Sequence, residues 1–194
     1  MDRLRRPPIG GWKVRGFTLI ELMVAVAILA VLSALAAPSF NEAFLSNKLA
    51  SYANNFVASA QLARSEAIKR NATVVMCRSA DGASCAASGT WQQGWIVMCP
   101  QNPANPGVCV VGGTENLVFQ WQQALSPDYR FTAEGNTYSV DFLSTGGAQI
   151  TGGGSPVTLS LCRATPEPGR QGRALTVSFT GRSSVEKTTM GSCS

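Results

Sequence analysis

Residues 15–40 read RGFTLIELMVAVAILAVLSALAAPSF, and positions 17–37 carry a single formal charge, Glu21, among twenty-one residues. At about 1.5 Å of rise per residue, a helix of that length crosses a hydrocarbon core of roughly 30 Å. A carboxylate at mid-bilayer costs roughly 2.5–3.5 kcal/mol, so Glu21 requires a partner. Pro38 follows the run and lacks the backbone donor that a helix uses, which predicts a kink there. Beyond it the pattern turns amphipathic. Leu45, Leu49, Tyr52, Phe56, Ala60, Ala63 and Ala67 recur at three- and four-residue steps, with Asn47, Lys48, Asn54, Asn55, Arg64 and Lys69 between them. The helix is therefore expected to continue to about Arg70. If unbroken from Phe17 it is about 80 Å long, so its second half must lay one face on a soluble domain.

The charge distribution supports the same division. The net charge is +5, yet residues 1–16 hold Arg3, Arg5, Arg6, Lys13 and Arg15 against Asp2, leaving eleven basic and ten acidic side chains for the rest. A basic flank before an apolar run is the pattern of the positive-inside rule rather than of nucleic-acid binding. The chain has no histidine. That removes Ser-His-Asp and Cys-His nucleophile activation, His-containing metal sites and the commonest general base. The acids Asp81, Glu115, Asp128, Glu134, Asp141 and Glu167 are scattered singly, and no motif pairs them. No enzymatic activity, cofactor or metal is expected.

From Thr73 onward short β-like runs alternate with Gly, Asn, Ser and Pro. TVVMC (73–77), GWIVMC (94–99), NLVFQWQ (116–122), TYSVDFL (137–143), VTLSLC (157–162) and ALTVSF (174–179) are the predicted strands of one antiparallel sheet, and TGGGSP and PEPGRQG are turn or loop material. Cys77, Cys85, Cys99, Cys109, Cys162 and Cys193 all follow the apolar run, and none forms a Cys-x-x-Cys pair. An even number in the exported part points to disulfides in an oxidising compartment, with buried free thiols as the alternative. Six cysteines allow fifteen pairings. Joining sequence neighbours (Cys77 with Cys85, Cys99 with Cys109, Cys162 with Cys193) is the expectation, because each bond then staples one local loop.

Three readings compete for the N-terminus. A secretory signal peptide finds an ALA cleavage pattern at 34–36, but the apolar region exceeds the usual length and contains an acid. A plain anchor accommodates Glu21 by snorkelling but leaves Gly16 before Phe17, and the continuing helix, unexplained. The third rests on the residues themselves: the stretch resembles the N-terminus of type IV prepilins and type II secretion pseudopilins. The resemblance implies cleavage by a prepilin peptidase after Gly16, methylation of the new amine at Phe17, an assembly role for Glu21 and a helix kink at Pro38. It also supplies the missing partner, since the new amine, in a neighbouring subunit, can pair with Glu21. Opposite charges at about 4 Å attract by about 4 kcal/mol at an effective dielectric near 20.

The globular part is similar to the GspH/FimT group of minor pilins and pseudopilins. The resemblance lies in SEAIKRNATVVMCRSADGASC, then WQQGWIVMC with Trp91 and Trp95, and LTVSFTGRSSV in the place of that group's final strand. The two tryptophans are read as core and domain-edge packing. The implied fold is α+β and type IV pilin-like, a long N-terminal helix on an antiparallel sheet. The implied organisation is a leader (1–16), a transmembrane and filament-core helix (17–37), an amphipathic helix (38–71) and a disulfide-stapled β domain (72–194). The implied location is the bacterial inner membrane, single-pass, with the domain in the periplasm. Its partners are then the membrane, the prepilin peptidase and other pilin or pseudopilin subunits. Its work is assembly of a secretion pseudopilus or a type IV pilus. The alternative within the group is DNA capture through a basic C-terminal region bearing Gly-Arg-x-Arg. Here Gly181 and Arg182 match and Ser184 replaces the second arginine, while Arg163, Arg170, Arg173, Arg182 and Lys187 stand against Glu167 and Glu186. Phosphate binding requires such cations on one face.

Overall fold

The computed structural model describes residues 16–105, 107–154, 156–164, 171–190 and 193, with the side chains of 36–42 outside the description. The leader up to residue 15, most of the PEPGRQG stretch, Glu167 and Arg170 lie outside the described residues. The chain divides into two compact units, Met1–Ala43 and Phe44–Ser194.

One helix, α1 (Leu19–Arg70), contributes to both units. Its backbone is helical through Pro38, so the proline does not end it. The kink expected at Pro38 falls within residues 36–42, whose side chains lie outside the described residues. Among the described residues no helix is long and apolar enough to cross a membrane. The apolar run read from the sequence extends to Ala37, into the stretch whose side chains are not described.

In the second unit α1 packs with its apolar stripe. Leu49, Ala53, Phe56, Ala60, Ala63 and Ala67 are buried, and Leu45 and Tyr52 pack against them. This is the predicted stripe with Ala53 added. Small residues along it let the sheets approach the helix closely, and Phe56 fills the space between them.

The strands are β1 (Val74–Arg78), β2 (Trp95–Gln101), β3 (Glu115–Gln122), β4 (Tyr129–Ala133), β5 (Ser139–Phe142), β6 (Ala148–Thr151), β7 (Val157–Arg163), β8 (Gln171–Val177) and β9 (Ser183–Thr189). They form two antiparallel sheets rather than the single one expected, in the orders β3-β2-β1-β5-β6 and β4-β7-β8-β9. Strands β4, β6 and β9 were not anticipated. The split is spanned by aromatic rings. Phe56 lies edge-on to Trp95 of β2 at 5.6 Å, to Phe131 of β4 at 5.2 Å and to Trp91 at 5.5 Å. One helical residue thus touches both sheets, and truncating a buried Phe costs about 3–5 kcal/mol.

Both tryptophans are core residues, as expected, and each polar end is satisfied. Trp91 Nε1 donates to the Thr137 carbonyl at 3.0 Å, and Trp95 Nε1 donates to Ser59 Oγ at 2.9 Å. Three disulfides join sequence neighbours: Cys77–Cys85, Cys99–Cys109 and Cys162–Cys193. Arg78 is also buried and holds the first of these loops, donating to the carbonyls of Ala86, Ala87 and Gly89.

Candidate functional site

The N-terminal site begins at Gly16 and Phe17, both exposed. Thr18 is the N-cap of α1: the Glu21 amide donates to Thr18 Oγ1 at 3.2 Å, and the Leu22 amide donates to the Thr18 carbonyl at 3.2 Å. Glu21 therefore stands three residues beyond the cap, where a carboxylate faces the positive end of the helix dipole. The Thr-x-x-Glu spacing is a capping-box signature and was available in the sequence as a helix start. Around Glu21 the helix is apolar on every side. All twelve large apolar side chains at 17–35 are more than half exposed, from Val24 at 51% to Phe17 at 82%.

At its other end α1 closes with a Schellman motif. Asn71 has φ +50°, the Ala72 amide donates to the Ala67 carbonyl at 3.2 Å, and the Asn71 amide donates to the Ile68 carbonyl at 3.3 Å. The SEAIKR stretch explains itself here. Glu66 accepts from Arg70 Nε at 2.6 Å and pairs with Lys69 at 3.5 Å. The Arg70 hydrogen bond holds the Glu66 carboxyl below its usual pKa. Arg70 also donates to the Gly107 carbonyl at 2.8 Å and lies over the Phe119 ring at 4.6 Å, tying the helix end to the β3 edge.

The C-terminal cations do not form one exposed patch. Arg163 and Arg173 are buried, Arg182 and Lys187 are exposed, and Arg170 lies outside the described residues. Arg182 belongs to the turn between β8 and β9, about 17 Å along the strand from Lys187 at roughly 3.4 Å per residue. The Gly181-Arg182 pair, expected in a final strand, is thus in a hairpin turn instead, with the Gly181 amide donating to the Ser178 carbonyl at 2.9 Å. Gly181 has φ +73°, and a Cβ there would strike the Gly146 carbonyl oxygen. The glycine is needed because this turn sits on the β5–β6 turn, where the Ala148 amide donates to the Phe179 carbonyl at 2.8 Å. Lys187 pairs across the ladder with Arg173 instead. Among the described residues no three His, Cys, Asp or Glu side chains group as metal ligands, and every described cysteine is in a disulfide.

A family model described as type II transport protein GspH matches residues 52–181. The chain belongs to the GspH family. A second model, the prokaryotic N-terminal methylation motif, matches residues 13–37, the stretch that holds Gly16, Phe17 and Glu21. No curated protein matches the sequence. Among solved structures, the type IV minor pilin FimU of Pseudomonas aeruginosa strain PAO1 is similar in two crystal forms. In one, identity is 18% and the TM-score 0.52 over 75% of this chain and 100% of FimU. In the other the values are 18% and 0.54 over 77% and 97%. The minor pseudopilin EpsH from the type 2 secretion system of Vibrio cholerae follows at 15% and 0.48, over 74% and 98%. The FimU likeness speaks for the fold, an N-terminal helix followed by antiparallel sheets. This chain is thus a GspH-family protein with a pilin-like fold and an N-terminal methylation motif.

Proposed function

We propose that this GspH-family chain is a minor pseudopilin or minor pilin. A prepilin peptidase cuts it between Gly16 and Phe17, the new amine is methylated, and residues 17–37 hold it in the bacterial inner membrane with its β domain in the periplasm. From there it enters a type II secretion pseudopilus or a type IV pilus and helps to prime assembly. The observation that carries this reading is the helix apolar on all sides with every large side chain exposed. A helix of that kind is stable only inside a bilayer or a helical bundle, since burying each such side chain contributes about 1.5–3 kcal/mol. The filament offers the second environment after the membrane has offered the first. Glu21 then finds the Phe17 amine of a neighbouring subunit, which rewards one register of insertion.

Intact-mass measurement of the mature protein tests the processing step. The expected mass begins at a methylated Phe17; a chain beginning at Ala37 would mean signal-peptidase secretion and would overturn the reading. Gene deletion separates the two machines, because loss of exoprotein secretion marks a pseudopilus and loss of surface fibres a pilus. DNA capture has less geometric support. It would rest on Arg182 and Lys187, the two exposed cations of the β8–β9 hairpin, which lie apart along it.

A further inference from the structure

The end of the β domain where α1 finishes exposes large apolar side chains on two flanks, Ile68 and Phe179 on one and Val108 and Val111 on the other. The ladder sets both flanks at this end. Val74, just past the helix, pairs with Phe142, which precedes the β5–β6 turn, while β2 ends at Gln101, opposite Glu115 at the start of β3. On the first flank Phe179 is 68% exposed in the β8–β9 turn, three residues before the exposed Arg182. The base under it is fixed. The Phe179 carbonyl accepts from the Ala148 amide, and Arg64 of α1 donates from Nε to the Gly146 carbonyl at 2.8 Å. On the second flank Val111 is wholly exposed in the β2–β3 loop, four residues before the exposed Glu115. That loop is held by the Cys99–Cys109 disulfide and by the Val110 amide, which donates to the Pro100 carbonyl at 2.8 Å. Beside it lies a groove of about 350 Å³ walled by Val75, Pro100, Val110 and Val111, with Asn71 and Thr73 at its helix side. The cations of the last helical turn, Lys69 and Arg70, are engaged by Glu66. Among the described residues neither Glu115 nor Arg182 has a side-chain partner.

We propose that the two flanks are the halves of a side-by-side contact between copies of this chain. Phe179 of one copy seats in the groove of the next, and Arg182 meets the partner's Glu115. The occupant follows from complementarity: an exposed ring beside a cation on one flank, an apolar groove beside a carboxylate on the other. The inference rests on the membrane-anchored reading above. Copies held in one membrane by the same segment present like ends at like height, so lateral approach brings the unlike flanks of that end together. Burial of the ring supplies the attraction, and the ion pair fixes the register. A two-fold dimer would need one self-complementary patch, and it would set Arg182 against Arg182 or Glu115 against Glu115. The contact is therefore heterologous: each bound copy still offers one ring and one groove, so the contact can propagate as a filament does.

The test uses the full chain, made in the producing bacterium with the photoreactive p-benzoylphenylalanine in place of Phe179. Cells are irradiated, and the cross-linked peptides are mapped by mass spectrometry. The expected product is a covalent dimer of the chain in which position 179 of one copy is joined to residues 108–112 of the other. Arg182→Glu and Glu115→Lys should each lower the dimer yield about fivefold, and the two together should restore it. No dimer, a dimer joined elsewhere, or a double reversal as weak as the single ones overturns the contact. Cross-links solely to a different protein overturn the second copy as the occupant. The intact mass of the same sample separates this inference from the reading beneath it. A chain that begins at methylated Phe17 yet gives no such dimer removes the contact and leaves the anchored reading standing, whereas a chain not cut there removes both.

Discussion

Thr18 and Glu21 show how much one residue's neighbours decide. In the sequence Glu21 is an acid in an apolar run; in the structure it also completes the first turn of a capped helix, where the dipole favours a carboxylate. Asp141 has the opposite electrostatic position. Half-burial on β5 raises its pKa above the ordinary carboxylate value, against which the Ser139 hydroxyl, donating at 3.1 Å, pulls only in part. The folded state therefore binds this proton more tightly than the unfolded chain. Stability is fully supported by this group below the ordinary aspartate pKa of about 3.9 and declines as pH rises through the raised value. Denaturant midpoints measured across mildly acidic pH should fall less steeply for Asp141→Asn than for the parent. Equal slopes would show that the burial has no thermodynamic effect. Glu21 was legible because a lone charge in an apolar run stands out. Asp141 was not, because only the neighbours brought by folding desolvate it.

At the scale of elements, α1 was the most legible part. The three- and four-residue recurrence of Leu49, Phe56, Ala60, Ala63 and Ala67 is a local property that survives folding as the buried stripe. Its stop is equally local. Asn71 takes the left-handed conformation that ends the helix, and asparagine tolerates it better than most residues. Asn71→Ala should lower unfolding free energy by about 1–2 kcal/mol, whereas Asn71→Gly should match or exceed the parent. Thermal melts of the two variants check this, and an alanine variant as stable as the glycine one would refute the strain. The missed strands have physical reasons. Strand β9, SSVEKTT, is an edge strand with mostly half-buried or exposed residues, so no apolar alternation marks it. Strand β6 has four residues, and β4 carries its buried Tyr129 and Phe131 beside the polar Arg130 and Thr132, a pattern too short to stand out.

At the scale of the molecule, two sheets, one helix and three disulfides must agree. Cys162–Cys193 ties β7 to the end of the chain across 31 residues and so constrains the unfolded chain more than the two shorter loops do. In the chain-entropy account a loop of that size contributes about 3–4 kcal/mol. Replacing both Cys162 and Cys193 with Ser should reduce stability by about 2–4 kcal/mol in urea titration, with β8 and β9 exchanging faster than β1 and β2. An unchanged midpoint would mean that the unfolded chain is already restricted there by other means. Sequence by itself indicated the long N-terminal helix, its methylation motif, the apolar stripe and most strands, and led to the expectation that neighbouring cysteines pair. Each of these is written in residues close together along the chain, where spacing alone carries the physics. Tertiary structure alone decided the division into two sheets around Phe56 and the seating of Gly181 in a turn. It alone buried Arg163 and Arg173, and set Arg173 opposite Lys187 across the ladder. Those relations join residues far apart in sequence, and their energies arise only when packing excludes water and brings the charges within reach of one another.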